Sequence, residues 1–263
     1  MGRIDDIFTS LKADGRTALM PFIAAGHPDL AVTEAVLPRL QAAGASIVEL
    51  GIPFSDPIAD GPVIASAMHE ALAAGVRPAD VLELVRRVRG SLDLGIVAMV
   101  SCSIVDRLGG PAFIDEAVDA GFDGFIVPDA DLDAAERLFA AAAARDVALA
   151  MLIAPTTTDA RRERLVGLSR GFTYLLARAG ITGERAEAPD IGPGVAGIRR
   201  LAPDLPIACG FGISQPEHVA AVTQKADAAI VGSALVRTMG DAADPVAAAE
   251  RMTASLAAAL HRR

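Results

Sequence analysis

The 263-residue chain is poor in lysine, histidine and cysteine, and each shortage argues against a class of chemistry. Its only lysines, Lys12 and Lys225, do not stand at the end of an apolar run, which disfavours a Schiff-base aldolase. Its four histidines lack the spacing of metal ligands, which disfavours a metal-dependent lyase. Its two cysteines lie inside apolar runs, where buried free thiols in a reducing compartment are expected.

Long apolar runs and an excess of basic charge are also missing. No run approaches the roughly 20 residues that a membrane-spanning helix needs. The N-terminal segment carries acids and no long apolar core, so we expect no secretory signal. The net charge of −9 argues against nucleic acid or an acidic membrane as a partner. We therefore expect a cytoplasmic protein that binds neither nucleic acid nor membrane.

Short apolar runs alternate with segments of helical spacing along the chain. Continuous apolar runs are typical of strands that are buried on both faces of a parallel sheet. Such strands are predicted at residues 17–25, 46–52, 94–101, 124–129, 147–154, 172–177, 205–212 and 227–234. Helices are predicted between and after them at 30–43, 78–89, 110–120, 132–145, 158–168, 193–201, 215–225 and 245–261. Three of these helices have a predicted N-cap, namely Asp29, Ser214 and Asp244.

Eight strands that are each followed by a helix predict an α/β fold, a single (β/α)8 TIM barrel that spans residues 1–263 as one domain. An extra N-terminal helix is predicted at RIDDIFTSLKA, and an extra helix after strand 2 is predicted at VIASAMHEALAAG. A doubly wound open sheet is the alternative. The first turn of that fold would be expected to show G-x-G-x-x-G, whereas the first turn here reads AAGHPD.

Functional groups of such barrels stand at the C-terminal ends of the strands and in the loops that follow. The loops CGFGIS and VGSALV, after the last two predicted strands, place glycines immediately before a helix. Glycine allows an anion to approach closely, and the helix N-terminus supplies N–H donors, so the two loops favour phosphate binding. The alternative to phosphate binding is that these glycines only allow the chain to make tight turns.

One carboxylate stands inside an apolar strand, in SIVELGI. Burial of this residue, Glu49, would be costly unless the group were paired or neutralised, so it is either a structural acid or a general acid/base. Asp60 is less informative on its own, because Asp-Gly-Pro is also ordinary turn chemistry. With the lone tyrosine, Tyr174, the two acids indicate acid–base chemistry on a phosphorylated substrate.

The segments ELGIPFSDPIADGP, YLLARAGITG, GFGIS and VGSA occur along the chain in the order found in the tryptophan synthase alpha subunit family. PFIAAGHPD, GFDGFIVPD and IAPTT add to this resemblance, which covers essentially the whole chain. The resemblance implies a lyase of tryptophan biosynthesis that cleaves indole-3-glycerol phosphate to indole and glyceraldehyde 3-phosphate. It also implies an alpha2beta2 complex in which pyridoxal phosphate belongs to the beta subunit, with no cofactor and no metal in this chain.

The resemblance also implies roles for individual residues. Glu49 would be the general acid/base, Asp60 would hold the indole N–H, and Tyr174 would position the carboxylate or the substrate. The further residues that the resemblance implies for substrate binding are Phe22, Ser101, Asp129, Thr182, Gly183, Phe211, Gly212, Gly232 and Ser233.

The chain departs from the family pattern after the third predicted strand. There MVSCSIV places Ser101 near a usual tyrosine and Ser103 where asparagine is usual, which would loosen the indole pocket or weaken the partner contact. The segment GERAEAPDIGPG, expected to act as a lid, also does not match the family pattern. Three alternatives stay open: a stand-alone indole-releasing lyase, a non-catalytic phosphate-binding barrel that docks to a partner, and another phospho-sugar isomerase on the same fold.

Overall fold

Parallel strands form the centre of the molecule. The computed structural model describes residues 2–56, 60–178 and 189–262. Within these residues nine strands form one sheet in the order β5-β4-β3-β2-β1-β9-β8-β7-β6. The strands are β1 (Ala18–Ala24), β2 (Ile47–Gly51), β3 (Gly95–Met99), β4 (Gly124–Ile126), β5 (Ala148–Ala150), β6 (Leu152–Ile153), β7 (Thr173–Leu176), β8 (Ile207–Gly210) and β9 (Ala228–Val231).

The two strands at the ends of this order, β5 and β6, are neighbours in the chain and are separated only by Met151. The sheet therefore curls into a barrel, and the fifth predicted strand is divided into two short ones. The in-register pairs lead from Phe22 on β1 to Ala148 on β5 in one direction, and from Ala18 on β1 to Leu152 on β6 in the other. The two series of pairs start four residues apart on β1 and finish four residues apart on β5 and β6. A full circuit of the barrel therefore shifts the register by about eight residues, which is the shear of a TIM barrel.

Helices surround the strands, and most of them lie where the spacing of apolar residues predicts them. They are α1 (Arg3–Ala13), α2 (Leu30–Ala42), α3 (Pro62–Ala73), α4 (Pro78–Val88), α5 (Cys102–Arg107), α6 (Pro111–Ala120), α7 (Leu132–Ala144), α8 (Asp159–Gly167), α9 (Gly192–Leu201), α10 (Pro216–Thr223), α11 (Ser233–Asp241) and α12 (Pro245–Ala257). The extra helices predicted before the first strand and after the second are α1 and α3. Among the described residues, no helix is both long and apolar enough to span a membrane.

Local details differ from the prediction at several strand and helix ends. The predicted strands 94–101 and 227–234 end earlier, and the chain turns into the short helices α5 and α11, which were not predicted. Asp29 and Asp244 cap α2 and α12 by accepting backbone N–H groups, as predicted. Ser214 does not cap α10, because that helix begins one residue later and its N-cap residue, Gln215, makes no side-chain cap bond.

The barrel has a packed floor at the N-terminal ends of its strands. On α1, Ile4, Phe8 and Leu11 are buried in the same apolar cluster as the inward-facing strand residues. The ring of Phe8 lies 6.1 Å from that of Phe172, which directly precedes β7. The amphipathic first helix therefore covers this end of the barrel, and the cavity lies at the opposite end, where the strands finish.

Candidate active site

A cavity of about 610 Å³, counting its solvent-exposed mouth, lies at the C-terminal ends of the strands. It brings together eight of the site residues predicted from sequence, namely Phe22, Glu49, Asp60, Tyr174, Phe211, Gly212, Gly232 and Ser233. Two others, Thr182 and Gly183, lie outside the described residues. The remaining two, Ser101 and Asp129, are not among the residues that line the cavity.

Glu49 is held in the wall by the middle of β2, where it pairs in register with Phe22 on β1 and Val97 on β3. The residue is 2 % exposed, and its Oε2 atom has no hydrogen-bond partner among the described residues. Burial, and secondly the charge of Asp60, raise its pKa to about 8. Glu49 therefore carries its proton at neutral pH, which is the state required of a general acid.

Asp60 approaches the same cavity from the loop that follows β2. It directly precedes Gly61, the N-cap residue of α3, and Pro62 occupies the first turn of that helix. Burial raises the pKa of Asp60 to about 6. Asp60 is therefore mostly ionised at pH 7, whereas Glu49 is mostly protonated. Two carboxyl groups whose environments separate their pKa values in this way are suited to different roles in one reaction.

Tyr174 on β7 is the third titratable group of the cavity wall. It is 6 % exposed, and its ring meets that of Phe211 edge to face, with the centroids 6.2 Å apart. Burial, followed by the charges of Glu49, Cys209 and Asp60, raises its pKa well above the usual value, so the phenol stays protonated and able to donate. The side chain passes so close to Gly210 that a methyl group there would overlap the phenol oxygen.

The loop after β8 turns sharply towards the cavity. Phe211 and Gly212 adopt left-handed backbone angles, with φ of 78° and 82°. This conformation is strained for phenylalanine and natural for glycine. Strain of this kind is concentrated at functional sites, where the surrounding structure holds it in place. Ile213 still lines the cavity, and the N–H of Ser214 then meets Nδ1 of His218 at 3.4 Å.

The loop after β9 leads directly into a helix. Gly232 is the N-cap residue of α11, and Gly232, Ser233 and Ala234 all line the cavity. The first N–H groups of a helix have no partner within the helix, and its dipole is positive at this end. The arrangement supplies backbone donors, a serine hydroxyl and a glycine that leaves room, which together suit an anion such as phosphate.

Ser101 and Asp129 bind each other instead of facing the cavity. The Ser101 hydroxyl donates to Asp129 Oδ2 at 2.7 Å, and the Cys102 N–H donates to Asp129 Oδ1 at 2.8 Å. Ser101 is also the N-cap residue of α5. Both residues were predicted at these strand ends, but the contact between them was not. Because the hydroxyl and the carboxylate satisfy each other, neither residue lines the cavity.

Eight further apolar residues complete the cavity wall, and none of them was predicted as a site residue. They are Ile64, Met99, Ile126, Pro128, Leu152, Ile213, Ile230 and Ala234. A usable signal was present, since successive residues of a strand alternate between the inside and outside of a barrel. Met99 lies two residues beyond Val97, the register partner of Glu49, and therefore shares its inward direction. Among the residues that the structure describes, no three side chains cluster as metal ligands would.

Comparison with known proteins gives one consistent result. A family model described as tryptophan synthase alpha chain matches residues 8–262. The chain is 46 % identical over 248 residues to the tryptophan synthase alpha chain of Prochlorococcus marinus (strain MIT 9313), covering 94 % of this chain and 90 % of that one. It superposes on a chain of Mycobacterium tuberculosis tryptophan synthase with a TM-score of 0.90, 34 % identity, and coverage of 100 % and 99 %. The alpha subunit of the Legionella pneumophila str. Paris enzyme gives 0.87, 33 % identity, and 98 % of each chain.

Proposed function

The chain belongs to the tryptophan synthase alpha chain family, and from this membership we propose how its cavity carries out the family's reaction. The protein is a lyase of tryptophan biosynthesis, which cleaves indole-3-glycerol phosphate. The products are indole and glyceraldehyde 3-phosphate, so one carbon–carbon bond breaks without a change in oxidation state of the whole system. The protein must therefore protonate a ring carbon and remove a proton from a hydroxyl group.

The carboxyl pair is the observation that supports our assignment of these proton transfers. Between about pH 6 and pH 8 Asp60 is mostly an anion, while Glu49 is mostly a neutral acid. We assign the first proton transfer to Glu49, which would protonate the ring carbon that carries the side chain. Asp60 would accept the indole N–H and stabilise the positive charge that the ring then carries.

The second half of the reaction returns Glu49 to its starting state. Having lost its proton, the Glu49 carboxylate would take the proton of the glycerol hydroxyl next to the breaking bond. The oxygen then forms the carbonyl of glyceraldehyde 3-phosphate, and the electron pair of the carbon–carbon bond restores the aromatic ring. Tyr174, a protonated phenol in the same wall, would orient the substrate or the carboxylate.

The rest of the cavity suits the two ends of the substrate. The strand pairs β3–β4 and β8–β9 stand on opposite sides of the ring of strands. Met99, Ile126 and Pro128 form an apolar wall on the first side, which would hold the indole ring. Gly212 and the N-terminus of α11 stand on the second side and would hold the phosphate.

An alpha chain implies a beta subunit as its partner. We propose that the two form the alpha2beta2 complex, that residues 1–263 act as one domain, and that this chain itself carries no pyridoxal phosphate. The positions of its two lysines support the last point. Lys12 and Lys225 pair with Asp204 and Asp190, and neither lysine lines the cavity.

Indole release from indole-3-glycerol phosphate tests the proposal directly. The full chain is assayed alone and with a beta subunit supplied, and we expect cleavage that the beta subunit accelerates. Equal rates in both conditions would favour the stand-alone lyase instead. In the Glu49→Gln variant we expect kcat to fall by about 10³-fold while substrate still binds. If the wild-type chain bound the substrate but cleaved none of it in either condition, the molecule would be a binding barrel.

A further inference from the structure

Two strand ends beside the cavity are joined by a network of short hydrogen bonds. After β3, Ser101 turns the chain into α5, and after β4, Asp129 turns it towards α7. The Asp129 carboxylate accepts the Ser101 hydroxyl with one oxygen and the Cys102 N–H with the other. Such a two-point contact to a charged group fixes orientation as well as distance.

The proton positions in this network follow from its geometry. The Ser101 hydroxyl has one proton, and the 2.7 Å contact with the acceptor-only Asp129 uses it. Ser101 Oγ must therefore accept from the Ser103 hydroxyl, at 2.9 Å, and from the Ser103 N–H, at 3.3 Å. With three partners and 5 % exposure of the residue, the Ser101 hydroxyl has no proton or lone pair left for a substrate.

The network directly follows two residues of the apolar wall of the cavity in the chain. The last sheet contact between the two chain segments is the bond from the Val100 N–H to the Ile126 carbonyl, at 3.1 Å. Beyond it, the contacts of Asp129 hold the segments together. Met99 lies two residues before Ser101, and Pro128 is the neighbour of Asp129, and both line the cavity.

We propose that Ser101 and Asp129 are positioning residues that set the width of the indole-binding wall. This inference rests on the proposed function of the cavity. Without the bond from Ser101 to Asp129, the two strand ends would separate and the contact between the wall and the ring would loosen. An apolar wall binds the ring equally well in the ground state and the transition state, so its loosening raises KM and leaves kcat almost unchanged.

The test is steady-state cleavage of indole-3-glycerol phosphate by the full chain, measured with and without the beta subunit. For Ser101→Ala we expect KM to rise about tenfold in both conditions, with kcat changed less than about twofold. Ser101→Thr keeps the hydroxyl and should restore most of the affinity. Asp129→Asn, which can still accept the Cys102 N–H, should give an intermediate KM.

Asp244→Ala is the matched control, because it removes a helix cap of the same kind from α12, and neither Asp244 nor any residue of that helix is among those that line the cavity. Like Ser101→Ala, it should lower the midpoint of thermal unfolding. Unlike Ser101→Ala, it should keep the KM of the wild type. A wild-type KM in Ser101→Ala, or a defect seen only when the beta subunit is present, would overturn the inference and leave the lyase assignment intact. An inactive wild-type chain would instead contradict the proposed function.

Discussion

Replacement of Glu49 by Gln should make the protein more stable while it removes the activity. Burial and the charge of Asp60 raise the pKa of Glu49 from 4.5 to about 8 in the folded state. The folded chain thus holds this proton more tightly than the unfolded chain does. Its stability must therefore fall as the pH rises from about 4.5 to about 8. Gln has nearly the same shape and cannot ionise, so the variant escapes this loss.

The size of the effect follows from the two pKa values. Each factor of ten in proton affinity is worth about 1.4 kcal/mol. Relative to acid solution, the raised pKa of Glu49 therefore lowers the free energy of unfolding by about 3 kcal/mol at pH 7 and about 5 kcal/mol above pH 8, and by almost nothing at pH 4.5. Because Glu49 is 2 % exposed, solvent screening does not reduce these values much. The variant should match the wild type in acid and exceed its stability by these amounts at higher pH.

Urea unfolding at about pH 5, 7 and 9, followed by circular dichroism, measures the difference. Glu83→Gln is the control, since it removes an exposed carboxylate from α4 and should change the free energy of unfolding by less than about 0.5 kcal/mol. A difference between Glu49→Gln and the wild type that stays constant from acid to alkaline pH would refute the reasoning. It would mean that folding does not raise the pKa of Glu49.

Three further predictions concern the same cavity. The pH profile of kcat/KM should rise as Asp60 ionises near pH 6 and fall as Glu49 loses its proton near pH 8, and a profile without an alkaline limb would contradict the assigned states. Gly210→Ala should lower kcat by about 10²-fold, measured by indole release, because the new methyl group displaces the Tyr174 phenol. Phe211→Ala should raise KM about tenfold, because it removes the lining ring that packs against Tyr174, and an unchanged KM would show that this ring does not contact substrate.

The barrel was predictable because its signals are local. Apolar runs mark the strands, and helical spacing with Asp or Pro at the start marks the helices. The short helices α5 and α11 escaped prediction because their first residues, CSIV and SALV, continue the apolar character of the preceding strands. Where these strands end depends on the barrel itself, and local composition does not record that.

The candidate site was likewise predictable only where its signals are local. Glu49 was recognisable because an acid in an apolar strand is unusual in itself, whereas Asp60, in ordinary Asp-Gly-Pro turn chemistry, gained its role from the family resemblance. The orientation of Ser101 was not recognisable, since a hydroxyl at a strand end can face the cavity or the neighbouring loop. Only the position of Asp129 decides between these possibilities, and that position depends on the register of β3 and β4.

The opposite end of the barrel shows why the catalytic acid must lack a basic partner. Arg89 bonds to Asp123, just before β4, and to two carbonyls in the turn before β3. Arg199 bonds in the same way to Asp227, just before β9, and to two carbonyls in the turn before β8. In both networks the aspartate also accepts an N–H of the neighbouring strand, so its charge is satisfied. An arginine placed in this way beside Glu49 would lower the pKa of its carboxyl, and the proton needed at neutral pH would be lost. These two arginine–aspartate pairs thus stand where the strands begin, and among the described residues the Oε2 atom of the reactive acid has no hydrogen-bond partner in the strand that carries it into the cavity.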